Sequence, residues 1–226
     1  MSKNIKSQIQ KYLKHVRFVI NKRSISRSSN GFDPLKLYFI DPKSVVYVTP
    51  VTPYVDNIRH DTHGIRHPHS AINRGSFKKS RIGRIFSEDW DLKTLLFNQL
   101  IEFISLHDFL TGKERWENTP FAQRTIRWIE AGNRYREFTS VDDYLRYQPE
   151  RIQKLCISIE KSGVKRLSHT RYDPNIFDEI TVNIGRDNDF FFNNRGHHRL
   201  SIAKIVGCEK VPVLINTRYN SNKILS

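Results

Sequence analysis

Only two cysteines occur in 226 residues, Cys156 and Cys208, each in an apolar stretch and neither in a Cys-x-x-Cys or Cys/His spacing. A disulfide scaffold and a structural zinc ribbon are excluded, and both thiols are expected reduced and partly buried, as in a cytoplasmic compartment. The chain also lacks any apolar run of the roughly 18 residues that a bilayer crossing needs. No transmembrane segment is expected, and the protein reads as cytoplasmic or peripheral to a membrane. Acidic residues are absent from positions 1 to 30, which hold 8 Lys and Arg. With 38% hydrophobic and 27% charged residues, the composition is that of a globular chain rather than a disordered tract.

What is present in excess is positive charge. The 38 Lys and Arg against 23 Asp and Glu leave +15, which points to an anionic partner. The surplus is uneven: 9 basic against 4 acidic residues in 31 to 86, 8 against 12 in 87 to 150, and 13 against 7 in 151 to 226. Basic ends flank an acidic middle. Within residues 1–30, Ile5, Ile9, Leu13, Val16 and Ile20 recur at helical spacing between Lys3, Lys6, Lys11, Lys14 and Arg17, a basic amphipathic helix followed by a serine-rich linker to Asn30-Gly31. Such a helix docks on its own protein with the basic face in water, meets an anionic surface of nucleic acid or lipid, or is a transit peptide.

Residues 31–226 read as one α+β domain, a small mixed β-sheet flanked by helices, with an all-helical insertion at about 87–163. Strands are expected at Leu35–Ile40 and Val45–Val48, then an aperiodic loop over 54–86. Helices are expected from about 92 to 110, after the Thr119-Pro120 cap, and from Ser140, the last broken at Pro149 and resumed to Gly163. The final sixty residues alternate again: strand Glu179–Ile184, turn, strand Phe190–Phe192, a glycine loop, an apolar helix ended by Gly207, and strand Val211–Ile215.

That glycine loop is the strongest chemical signal. A strand feeding a glycine turn that opens a helix aims backbone N–H groups and the positive end of the helix dipole at one spot. Arg195, His197, His198 and Arg199 surround Gly196 there, cations that oppose the dipole unless an anion is shared. The pattern leaves two readings: a phosphate- or carboxylate-binding loop, or a solvated basic helix start with Gly196 serving only as a turn.

Gly196-His197-His198-Arg199-Leu200-Ser201-Ile202-Ala203 and Val211-Pro212-Val213 resemble the ParB/sulfiredoxin superfamily, a nucleotide-binding (ParB N-terminal-like nuclease) group sharing a G-x-HR loop that opens a helix. The resemblance implies a ParB/sulfiredoxin-like fold and a nucleotide, ATP or CTP with Mg²⁺, held by its phosphates. Gly196 would be the close-approach glycine, His198 and Arg199 the phosphate-contacting pair, and Ala203 the packed side of the helix. Members include CTP-binding partition proteins, ATP-dependent sulfinic acid reductases and a free-serine kinase. This chain has His197 where the reductases place a nucleophilic cysteine, which sets thiol chemistry aside. It ends about twenty residues past Gly207, with no helix-turn-helix expected after the nucleotide domain.

The segments Gly83 to Asp91 and Arg115 to Thr119 look like a helical insertion seen in uncharacterised members of that superfamily. Phosphoryl transfer needs a carboxylate to take the hydroxyl proton and often another for Mg²⁺. Asp89, Asp91 and Glu117 are the candidates; equally, Asp91 caps a helix and Glu117 sits in solvent. Glu179 ranks below them. His60, His63, His67 and His69 suggest a metal by type, but Gly64, Pro68 and the interleaved arginines favour a phosphate-binding lid or a solvated loop, so no metal site is assigned. Two functions stay open: a kinase-like nucleotide-dependent phosphotransferase or nucleotidase, and a non-catalytic nucleotide-gated, nucleic-acid-binding or membrane-peripheral adaptor using the N-terminal helix.

Overall fold

The computed structural model describes residues 33, 35–53, 55–57, 75–78, 81–93, 95–169 and 173–220. The basic amphipathic helix and linker expected over residues 1–30, and the His60 to His69 segment, lie outside these residues. No helix among the described residues is long and apolar enough to cross a membrane, and Cys156 and Cys208 are free thiols of intermediate burial.

Among the described residues eight strands form, in chain order: β1 (Leu37–Ile40), β2 (Val45–Val48), β3 (Asp56–Asn57), β4 (Gly75–Ser76), β5 (Arg84–Phe86), β6 (Ile180–Ile184), β7 (Phe190–Phe192) and β8 (Val211–Tyr219). The main sheet has the order β1-β8-β6-β7-β2, and β5 pairs with the far end of β8. It is mixed: β6 and β5 run parallel to β8, β2 runs parallel to β7, and β1 and β7 are antiparallel to their partners β8 and β6. All five residues of β6 are buried, as expected for a central strand covered on both faces.

Four α-helices form among the described residues, two of them at the side-chain caps marked in the sequence. They are α1 (Ile101–Leu110), α2 (Pro120–Glu130), α3 (Val141–Ser162) and α4 (His197–Ile205). Thr119 accepts from the Ala122 N–H and Ser140 from the Asp143 N–H, each supplying an oxygen to an amide that the helix itself cannot satisfy. Three expectations are corrected. Pro149 does not break α3, because it removes only one ladder bond while Tyr144, Gln148, Ile152 and Ile159 keep one face buried along the whole helix. The first helix starts at Ile101 rather than near 92, because the Val48 N–H donates to the Leu95 carbonyl and Tyr47 bridges Leu96, zipping that segment onto β2. The stretch read as loop contains β5, whose backbone finds partners on the last residues of β8.

α4 lies between two cores. Its Leu200, Ile202 and Ala203 pack with Val45, Val48, Ile180, Val182, Val213 and Ile215 of the sheet, while Ile205 meets the aromatic core of the inserted helices, built on Trp116, Phe121, Tyr135, Phe138 and Tyr144. The glycine loop that begins α4 is therefore fixed from below by the sheet and from the side by the insertion.

Candidate functional site

Gly196 is the N-cap of α4 and adopts the left-handed conformation, with φ 77°. The space explains why glycine stands there: a Cβ would lie 2.6 Å from Ile180 Cγ1 and 2.9 Å from Ile180 Cα. The loop is stitched to the start of β6 on both sides of this contact. The Arg195 N–H donates to Thr181 Oγ1 at 3.0 Å, and the Thr181 N–H donates to the Arg195 carbonyl at 3.2 Å. Buried Asn193 continues the seam: its Oδ1 accepts from the Phe77 N–H at 2.8 Å and from Asn183 Nδ2 at 3.2 Å. The first-turn amides of α4, which have no acceptor within a helix, are thus held on a rigid frame.

The five loop residues expected to act together divide into two groups. Arg195 faces outward, half exposed, with Asp178 Oδ1 at 3.9 Å from its Nη1; His197 is partly exposed beside Gly196. Arg199 is turned inward. Its Nη1 donates to Glu179 Oε2 at 3.1 Å and its Nη2 to the Asp178 carbonyl at 2.5 Å. The Glu179 side chain is 0% exposed, and its other oxygen accepts from the Leu167 and Ser168 N–H groups at 2.7 and 2.9 Å and from Ser168 Oγ at 3.0 Å. Arg199, 14% exposed, and the buried Glu179 form a pair that ties the 167–168 segment to the loop, a structural commitment that the expected phosphate contact through Arg199 did not include.

His198 points into the insertion. Its ring sits edge-on to Phe121, centroids 6.4 Å apart, and 4.2 Å from the His197 ring. Burial, reinforced by the charges of Arg136 and Arg151, pushes its pKa down to about 3, so the imidazole is neutral. Arg136 Nη2 lies 3.4 Å from His198 Nδ1. A guanidinium only donates, so Nδ1 carries the lone pair and the proton sits on Nε2, a buried atom with no hydrogen-bond partner. His198 is therefore a packing residue of the loop, not a phosphate ligand.

The acidic candidates lie elsewhere. Asp91, with a side chain 1% exposed, accepts from the Arg186 backbone N–H at 2.6 Å and from its Nε and Nη2 at 3.0 and 2.7 Å; exposed Asp89 takes the same Nη2 at 2.6 Å. Gly196 rests on Ile180, at the start of β6, whereas Arg186 follows the end of that strand. At about 3.3 Å per residue the length of β6 puts some 16–20 Å between them, so Asp89 and Asp91 cannot serve a phosphate at the loop. They clamp the β6–β7 turn, as do Lys93 and its ion pairs with Asp187 and Asp189. Glu117 lies in the one-turn helix Trp116–Asn118 of the insertion, and its carboxylate makes no hydrogen bond or ion pair among the described residues.

The carboxylates at the loop are instead Asp178 and Glu179. The adjacent acids before an alternating strand were a legible signal for them; nothing in the sequence pattern singles out Arg136. Among the described residues no group of three or more His, Cys, Asp or Glu is placed to hold a metal ion. Mg²⁺ fits this donor set only when it arrives on a polyphosphate, with phosphate oxygens and one carboxylate as ligands. Comparison with protein-family models, with curated proteins and with solved structures finds no match for the chain.

Proposed function

We propose that this protein binds a nucleotide, ATP or CTP, by its phosphates at the Gly196 loop. The observation that carries the reading is the left-handed Gly196 pressed against Ile180, which presents the first-turn amides of α4 beside the half-exposed Arg195. Amides, dipole and guanidinium converge there, which is the chemistry of phosphate capture. The resemblance of residues 196–203 to the ParB/sulfiredoxin loop supports the same reading. In it, Gly196, Arg195 and the backbone of His197 and His198 hold phosphate, and Arg199 positions the loop through Glu179.

Mg²⁺-dependent phosphoryl transfer or hydrolysis is the catalytic form of this proposal, and its base would be Asp178, the solvent-accessible acid nearest the loop arginine. A nucleotide-gated adaptor without turnover is the second reading. It is favoured by one observation: the buried acid at the loop, Glu179, has both oxygens engaged and none to offer a substrate.

Calorimetric titration with ATP, CTP and GTP, with and without Mg²⁺, tests both. Binding by the full chain, weakened at least tenfold in Arg195→Ala, is the expected result; no binding at millimolar nucleotide overturns it. Product formation lost in Asp178→Asn with affinity retained marks the enzyme, and binding without product marks the adaptor.

A further inference from the structure

The tip of the insertion nearest the loop is a tight two-residue turn. The Tyr135 N–H donates to the Phe138 carbonyl at 3.0 Å, the Phe138 N–H returns to the Tyr135 carbonyl at 2.9 Å, and both flanking rings are buried. Between them stand Arg136 and Glu137. Arg136 adopts φ 54°, a left-handed backbone for which glycine or asparagine is the ordinary residue. Its carbonyl is held in turn by Arg134 Nε at 2.5 Å. A long charged side chain thus occupies a position where the turn itself would be better served by another residue.

The guanidinium makes no ion pair among the described residues, although the Glu137 carboxylate is near enough to feel its charge. Among the described residues no carboxylate lies within ion-pair distance of it, since the adjacent Glu137 pairs with Arg151. Its contacts are Tyr135, whose ring centroid lies 5.6 Å away and whose side chain also hydrogen-bonds it, and Nδ1 of the neutral His198. That nitrogen is separated from a first-turn amide of α4 only by the Cγ, Cβ and Cα of the same residue. Arg136 therefore adds a third arginine to the positive end of α4, beside Arg195 and Arg199. Of the three, only Arg199 has a buried carboxylate. His198 in the same turn is more than nine-tenths buried, and its ring contacts both Phe121 and Arg136, so it fixes the guanidinium beside the helix start.

We propose that Arg136 is a phosphate-binding residue, supplied by the inserted helices to complete the Gly196 site for a polyphosphate-bearing nucleotide. The inference rests on the phosphate-loop reading above. It gives the insertion a role: it carries a cation to the loop on a rigid tip, positioned by the packing of His198 against Phe121. The strain at Arg136 is then the cost of holding a guanidinium there in advance of the ligand.

Arg136→Gly is the informative substitution, because it removes the guanidinium and relieves the left-handed backbone together. Titration of the full chain with ATP and with inorganic tripolyphosphate is expected to show binding at least tenfold weaker than wild type, with an unfolding temperature equal or higher. Arg136→Gln, which keeps a side chain of similar reach without charge, is expected to lose affinity similarly. If both variants bind like wild type while Arg195→Ala is weakened, the inference is overturned and the loop reading stands. If affinity falls only in step with the unfolding temperature, Arg136 is structural and the inference is again overturned. If wild type binds neither ATP nor tripolyphosphate, the loop reading fails and takes this inference with it.

Discussion

His198 makes the stability of this protein depend on pH between about 7 and 5, the range in which histidines titrate. A free imidazole has a pKa near 6.5, and burial among Phe121 and the insertion pushes His198 down to about 3. The unfolded chain therefore binds a proton that the folded chain refuses, so stability is present in full above about pH 6.5 and falls as the pH drops toward 3. Between pH 7 and pH 5 the two pKa values give a loss of about 2 kcal/mol from this residue alone. The groups with lowered carboxyl pKa values, such as Glu137 beside Arg151 and Asp187 beside Lys93, titrate below this interval and do not obscure it.

The assay is urea unfolding followed by tryptophan fluorescence at pH 7, 6 and 5, for wild type and for His198→Gln. Glutamine keeps an acceptor for Arg136 and cannot titrate in this range. Its baseline stability is lower because the ring packing is lost, but only the slope against pH matters. With a denaturant sensitivity of about 2 kcal/mol per molar urea, a typical figure, the wild-type midpoint should fall by about 1 M more than the variant's between pH 7 and 5. Other histidines are common to both chains and cancel. Parallel lines for the two proteins would refute the reasoning, because a partly exposed His198 that charges freely in the folded state has no differential proton uptake. It would also remove the rigid coupling between the insertion and the loop.

Two more outcomes separate structural from functional residues. Asp91→Ala should destabilise by about 2–3 kcal/mol in chemical denaturation, since it leaves the Arg186 guanidinium and backbone N–H without their acceptors, while the nucleotide affinity of the folded protein stays within twofold of wild type; a larger loss of affinity would contradict the separation along β6. Gln148 is fully buried on α3 with neither amide atom hydrogen-bonded, so Gln148→Leu should raise stability by about 1–2 kcal/mol, and a decrease in the unfolding midpoint would show that the amide has a partner after all.

Much of the fold could be read locally. Thr119-Pro120 and Ser140 mark helix starts by their own side chains, and the alternation in Ile180–Ile184 and the apolar run from Val211 mark strands. These signals depend on a residue and its near neighbours. The misreadings involve partners far along the chain: Leu95 and Leu96 have helical spacing but bond to β2, and the strand at Arg84–Phe86 exists because β8 extends to Tyr219 and offers it an edge. No window of ten or fifteen residues contains that information.

The same distinction explains the site. Gly196 was legible because its role is local, a left-handed cap before an apolar helix, and the sequence spacing states it. The roles of Asp91 and Arg199 depended on which charged group lay opposite them. Asp91 is 95 positions from Arg186 and Arg199 is 20 from Glu179, and both meet across β6, one beyond its end and the other at its start. Acidity near tryptophan in a basic chain suggested an active-site base, but strand direction put that acid at the end of β6 remote from the loop. The side chain that strand direction and helix packing do bring to the loop is Arg136, which arrives through the contact of His198 with the insertion. A charged residue's chemistry in this fold is thus decided by which end of the central strand its segment reaches, and Arg195, alone of the loop arginines expected at the outset, reaches the Gly196 end with its guanidinium facing out.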